Sequence, residues 1–232
     1  MNVSTWKQKD SWTGKEFSLL LLLEFIFVIV VVKYSVQSLY LSLFSNTLYS
    51  GTLTGLTIAI VLMTGLYFIA LRPKNLSWKE VGVRSFSTKY WLKIPIWLLV
   101  TIILSVAVVL LTSLLGNSVD NSKTESLQQN INLFTILIGI ISAGVVSPVY
   151  EEIFYRGFIY RWLRVRLGMN WGIVISSLIF TIAHFPTLNA MPVNFINGVV
   201  FAWVYEKTGS VIPGMIVHGV FNTIAVLLTV TG

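Results

Sequence analysis

Apolar and polar positions along this chain fall into long blocks. Seven mostly apolar runs are separated by short polar stretches: 17–36, 51–71, 91–115, one from about 132 into a Glu-Glu pair at 151–152, then 171–185, 193–205 and 211–230. A helix that crosses a bilayer needs about 20 mostly apolar residues, so the first, second, third and seventh runs each predict a span. The fourth is longer than one span. The fifth and sixth are short enough to be buried or re-entrant helices. The expected fold is an all-α membrane protein, a polytopic bundle of about seven transmembrane helices. Its N-terminal part, 1–130, holds plain spans and an outer loop. Its C-terminal part, 131–232, holds nearly all the unusual polar residues and is the expected seat of any chemistry.

Composition agrees with this pattern. Of 232 residues, 55% are hydrophobic and 11% charged, with a mean hydropathy of +0.80. Soluble domains carry about 25% charged residues, so a soluble globule is excluded. The net charge of +7 does not point to nucleic acid, because the basic residues fall between the apolar runs. Lys7, Lys9 and Lys15 precede the first run, and Arg72, Lys74, Lys79, Arg84 and Lys89 link the second to the third. Arg156, Arg161, Arg164 and Arg166 follow the fourth, and Lys207 lies between the sixth and seventh. With alternating spans these thirteen share one side, against Lys33 and Lys123 on the other, Lys93 at a helix start being left out. That asymmetry predicts a cytoplasmic N-terminus. Trp78, Tyr90, Trp91, Trp162 and Trp171 lie at the predicted boundaries, where interfacial anchors are expected. The first run is too long for a signal-peptide core and has no small-residue cleavage site after it, so it reads as a retained span. There are no cysteines, which excludes disulfides, thiolate ligands and a thiol nucleophile.

Ionisable groups at membrane depth are costly and mark functional sites by default. The C-terminal part holds Glu151, Glu152, Arg156, both histidines of the chain (His184 and His218) and Asn222. His218 and Asn222 are four apart and share a helix face, so both are expected to point into one cavity. If the Glu-Glu helix runs to about Arg166 and turns through Gly168, Glu151 lies about 22 Å from the turn and His184 about 20 Å, at 1.5 Å per residue. Glutamate and histidine are then level in an antiparallel hairpin. Pro148 is expected to kink the long helix just before the carboxylates. Glu24, in the first run, reads as a carboxylate paired with another helix or kept protonated rather than as a catalyst. The polar stretch 116–130 reads as a mobile outer loop.

These groups suit hydrolysis of an amide. A carboxylate in a low-dielectric cavity can serve as general base near neutral pH. Glu151 with His184 could deprotonate a water while His218 and Asn222 donate to the oxyanion. Glu151, His184 and His218 would equally suit a divalent metal such as zinc with an open position. No Gly-x-Ser-x-Gly elbow and no His-Glu-x-x-His are present, which excludes the standard serine-hydrolase and zincin arrangements.

Glu151-Glu152-x-x-x-Arg156, Phe180-x-x-x-His184 and His218-x-x-x-Asn222, in that order on apolar helices, resemble the three-motif signature of the CPBP family. These are the CAAX-protease and bacteriocin-processing (Abi) intramembrane proteases. The stretch from Asn197-Gly198 through Tyr205 to Ile212-Pro213 is similar to the family's link between its second and third motifs. The resemblance covers about residues 140 to 230. It implies that Glu151 is the catalytic glutamate working with His184, that His218 and Asn222 form an oxyanion site, and that Glu152, Arg156 and Phe180 support it. It implies a peptide or membrane-protein substrate, with prenyl-protein cleavage less expected than the bacterial roles of peptide processing or bacteriocin self-immunity, given the short loops. The expected location is a bacterial cell membrane. Two other readings stand beside the peptidase. One is a non-catalytic membrane partner binding a peptide or another membrane protein in the same cavity. The other is a proton-coupled transporter, which the lack of an internal repeat disfavours.

Overall fold

The computed structural model describes residues 11–116, 122–128 and 131–231. Lys7 and Lys9 lie outside them, as do parts of the expected outer loop. Every regular element among the described residues is helical. Five helices are long and apolar enough to cross a membrane: Gly14–Phe44, Thr47–Lys74, Thr88–Leu114, Leu133–Ile182 and Ile212–Thr231. The fourth contains a reversal at Gly168, whose φ of 81° lies outside helical geometry. We therefore label the helices α1 (Gly14–Phe44), α2 (Thr47–Lys74), α3 (Thr88–Leu114), α4 (Ser122–Gln128), α5 (133–167), α6 (169–182), α7 (Met191–Thr208) and α8 (Ile212–Thr231). All seven apolar runs appear as helices, so the chain is an all-α bundle of membrane-spanning length.

Local chemistry sets the helix ends. Thr13 and Glu16 form a reciprocal capping box at the start of α1, which satisfies two backbone donors that a helix N-terminus leaves open. Asn46 caps α2 by accepting from Tyr49 N, and Asn132 caps α5 by accepting from Thr135 N. Gly168 turns the chain because only glycine takes this left-handed conformation without a steric penalty. α6 stops at Ile182, since Pro186 biases the residue before it away from helix. His184 therefore sits in the turn beyond α6, not inside the helix.

The bundle packs α6 on α5 and α7, and lays α8 across α5, α3 and α7. One core runs through both parts of the chain, from Trp12, Leu20 and Val28 on α1 and its approach, through Leu62 and Leu66 on α2, to Phe154, Phe158 and Phe180 on α5 and α6. The outer faces stay apolar and exposed, as at Ile96, Leu99, Ile103 and Leu110 on α3. An apolar face of that extent belongs against lipid.

Four connections meet at one end of the bundle. Trp12 donates to Ala70 O and Arg166 to Trp12 O. Lys74 pairs with Glu16 at 3.1 Å, and Arg164 with Glu206 at 2.9 Å. Arg161 holds both the backbone oxygen and the carboxylate of Glu80. Arg84 donates to Gly209 O and Tyr90 to Lys207 O. The basic connections thus share one side, as alternating spans require. Three expectations need correction. Arg156 does not belong to that set, for it is buried between α5, α6 and α7. Tyr90 and Trp162 are tied inward, Trp162 stacking on Phe17 at 3.9 Å, while Trp91 and Trp171 stay exposed as interfacial anchors do. Within the expected outer loop, α4 is a helix held to α8 by Gln128 donating to Thr229 O, with Leu127 buried.

Candidate active site

The hairpin of α5 and α6 sets the depth of the polar cluster. Arg156 and Phe180 are equally far along the chain from Gly168, and so are Glu152 and His184. The Arg156 guanidinium lies 4.2 Å from the Phe180 ring centre and 5.3 Å from that of Phe201 on α7. A cation over two aromatic faces gains attraction in a place with little water. Arg156 also reaches Glu152 Oε1 at 3.2 Å.

Glu152 is the most enclosed member, with 0% of its surface exposed. Its Oε1 meets His218 Nδ1 at 3.0 Å. Its Oε2 backs onto the first turn of α8, where a Cβ on Gly214 would stand 3.0 Å away. Glycine there lets a helix N-terminus approach a carboxylate, and the partial positive charge of that end favours an anion. A carboxylate held by arginine accepts hydrogen bonds and donates none, so His218 Nδ1 carries the proton in this contact. That turns His218 Nε2 toward Glu151 Oε2, 3.8 Å away. The imidazole also stacks on Phe201 at 4.5 Å. His184 is oriented in the same sense. Its Nδ1 lies 2.8 Å from Phe180 O, and a carbonyl only accepts, which leaves Nε2 as the nitrogen with the lone pair. The Phe180 ring touches both imidazoles, at 4.6 Å from His184 and 6.3 Å from His218.

The structure therefore brings Glu151, Glu152, Arg156, Phe180 and His218 into one cluster, with His184 joined through Phe180. Asn222 is directed elsewhere, its amide donating to Ala143 O at 2.8 Å. Among the described residues no three His, Asp or Glu side chains converge as a metal site. The two carboxylates lie on opposite nitrogens of the His218 ring, Glu152 at Nδ1 and Glu151 at Nε2. No step below is routed through a metal.

Two residues of α1 also enter. Glu24 is buried, and Tyr155 donates to its Oε1 at 2.9 Å. Lys33 donates to Ala183 O at 2.7 Å and to Phe185 O at 3.2 Å, gripping the backbone on both sides of His184. Glu24 is paired with another helix, as its burial demands. Lys33, Tyr155 and Phe201 carry no spacing signal, because their partners are far away in sequence. Replacing Tyr155 with Phe is expected to lower stability in detergent by about 1–3 kcal/mol, since Glu24 loses its donor. Thermal unfolding would show it, and Glu24→Leu in the same background should recover most of the loss.

The fold and this cluster define a polytopic membrane protein with a buried glutamate–histidine–arginine centre in its C-terminal helices. Residues 133–224 match the family model of the type II CAAX prenyl endopeptidases, described as Rce1-like. That stretch holds all three motifs, and the match is consistent with the CPBP resemblance. The protein named "Putative membrane peptidase YdiL", of Bacillus subtilis (strain 168), is 30% identical over 89 residues. The alignment spans 38% of this chain and 36% of that relative. No solved structure matches the chain.

Proposed function

We propose that this chain is an intramembrane endopeptidase that hydrolyses a peptide bond with water activated by Glu151. The observation that carries this is the placement of His218 between the motif's two carboxylates, 3.0 Å from Glu152 and facing Glu151. Such a set divides labour. Glu152, fixed by Arg156, steadies positive charge on His218. Glu151 takes the proton of a water that His184 Nε2 helps to orient. The water oxygen attacks the carbonyl carbon, and His218 as imidazolium donates through Nε2–H to the oxygen that gains charge. Glu151 then passes its proton to the departing amine nitrogen as the C–N bond breaks.

The basic end of the bundle supports a cytoplasmic N-terminus in a bacterial cell membrane. The substrate class is a peptide or membrane protein reached within the bilayer, and peptide processing or bacteriocin self-immunity is the biological setting that the CPBP resemblance favours. The test is comparative membrane proteomics of cells carrying the natural chain or Glu151→Gln. A substrate should accumulate uncleaved in the variant, with turnover down at least about 100-fold, in line with loss of a general base. Unchanged processing by a folded Glu151→Gln protein would sink the peptidase reading in favour of a binding partner.

A further inference from the structure

We propose that Asn222 is a positioning residue that supplies the hydrogen bond Pro148 cannot make, and thereby holds the helix segment that aims Glu151. Proline at 148 is where a kink is expected, and the backbone keeps helical geometry from Ser147 through Glu151, with Pro148 in that segment. The turn before it is widened, residues Ile140–Val146 being π-helical, and Ser147 N–H donates to Ser142 O, five residues back. The next donor in that register would be the N–H of residue 148, and its acceptor Ala143 O. Proline has no N–H. Ala143 O would be left open at membrane depth, where an unsatisfied carbonyl costs several kcal/mol. The Asn222 amide from α8 donates to that oxygen. The carbonyl a regular α-turn would leave open, Gly144 O, is covered too. It lies where a side chain of Gly219 would be, and glycine at 219 lets α8 come against it. Thr223, the neighbour of Asn222, packs at Gly144 from the same helix. α8 thus patches the break in α5 at Ala143 O, five residues before Pro148, and Glu151 follows three residues after the proline.

This assignment depends on the peptidase reading only for the consequence that Glu151 is the group being aimed. The amide has two N–H groups, so the bond to Ala143 O is a structural role that stands beside any contact with substrate. The test is a double-mutant cycle on the full chain in detergent micelles. Asn222→Leu keeps the branched heavy-atom skeleton, removes the donor and puts in a residue that membrane interiors favour. It is nevertheless expected to lower the unfolding midpoint by about 2–4 °C. It should also change the rate at which dicyclohexylcarbodiimide labels Glu151, read by tandem mass spectrometry, by several-fold. In a Pro148→Ala background, where a backbone N–H returns, the same substitution should cost less than half as much and leave the labelling rate near that of the background. Pro148→Leu serves as a second background if the alanine variant does not fold. Equal losses in both backgrounds, or an Asn222→Leu protein as stable as the natural one, would overturn the assignment. Neither readout requires proteolysis, so failure here and failure of the peptidase reading are separate results.

Discussion

Replacing Arg156 with Met is expected to cost about 3–5 kcal/mol, enough to remove most folded protein from detergent extracts. The guanidinium is 2% exposed, lies over two aromatic rings and faces a carboxylate that is fully enclosed. Methionine fills similar space but leaves Glu152 as a buried charge with only His218 beside it. That uncompensated charge, rather than the lost pair, is the cost. Glu152→Gln together with Arg156→Met should therefore recover most of the stability, because a neutral pair needs no countercharge. The double variant should remain inactive, since its amide oxygen still receives His218 Nδ1 but no longer steadies an imidazolium. Size-exclusion yield and thermal unfolding measure the first effect, and substrate accumulation in cells the second. A single variant as stable as the double one would contradict the account.

Gly157→Ala is expected to be nearly as damaging, by about 3 kcal/mol, for a steric reason. A Cβ at this position would run into the carbonyl oxygen of Val81. Neither side can yield cheaply. Val81 is buried in the connection between α2 and α3. That connection is anchored by Arg161 on Glu80 and by Val211 N–H on Gly82 O. Its neighbour in sequence, Arg156, cannot shift without leaving Phe180. Gly55 is the matched control. A Cβ there meets nothing, so Gly55→Ala should be neutral or gain up to about 1 kcal/mol from helix propensity. Chemical or thermal unfolding of the two variants side by side would decide whether contact or composition governs these glycines.

The helices of the seven apolar runs were legible because those runs are long relative to their connections, which a hydropathy pattern reports directly, whereas the short polar α4 was not. The shared depth expected of Glu151 and His184 came from a related reason. Gly168 marks the reversal, and helix rise converts chain separation into depth. What the pattern did not contain was the identity of partners. Nothing in the spacing says that Arg156 would lie between Phe180 and Phe201, since Phe201 belongs to a helix with its own apolar logic. Counting Arg156 among the basic connections followed from its position near Arg161, and only partners separate the two: Phe180, Phe201 and Glu152 for Arg156, Glu80 for Arg161. Pro148 was read by the usual rule for proline in a helix. The rule marks where the bond is lost but not what replaces it, which here is π-winding and a donor from α8. Four-residue spacing put His218 and Asn222 on one face, and a face is wide enough for one side chain to meet Glu152 and the other Ala143 O.

The reach of α1 into the C-terminal helices bears on how such a protein could be divided. The stretch that matches the family model begins at residue 133, yet Tyr155 has its acceptor, and the carbonyls flanking His184 have their donor, on a helix more than a hundred residues earlier. A fragment starting at the family boundary would expose the buried face of Phe154, Tyr155 and Phe158, with Tyr155's hydroxyl and two backbone oxygens short of partners. It should refold poorly alone and regain order when the segment carrying α1 and α2 is expressed alongside it. Complementation between the two separately expressed pieces would then measure how far the motif-bearing half depends on a helix that bears no motif.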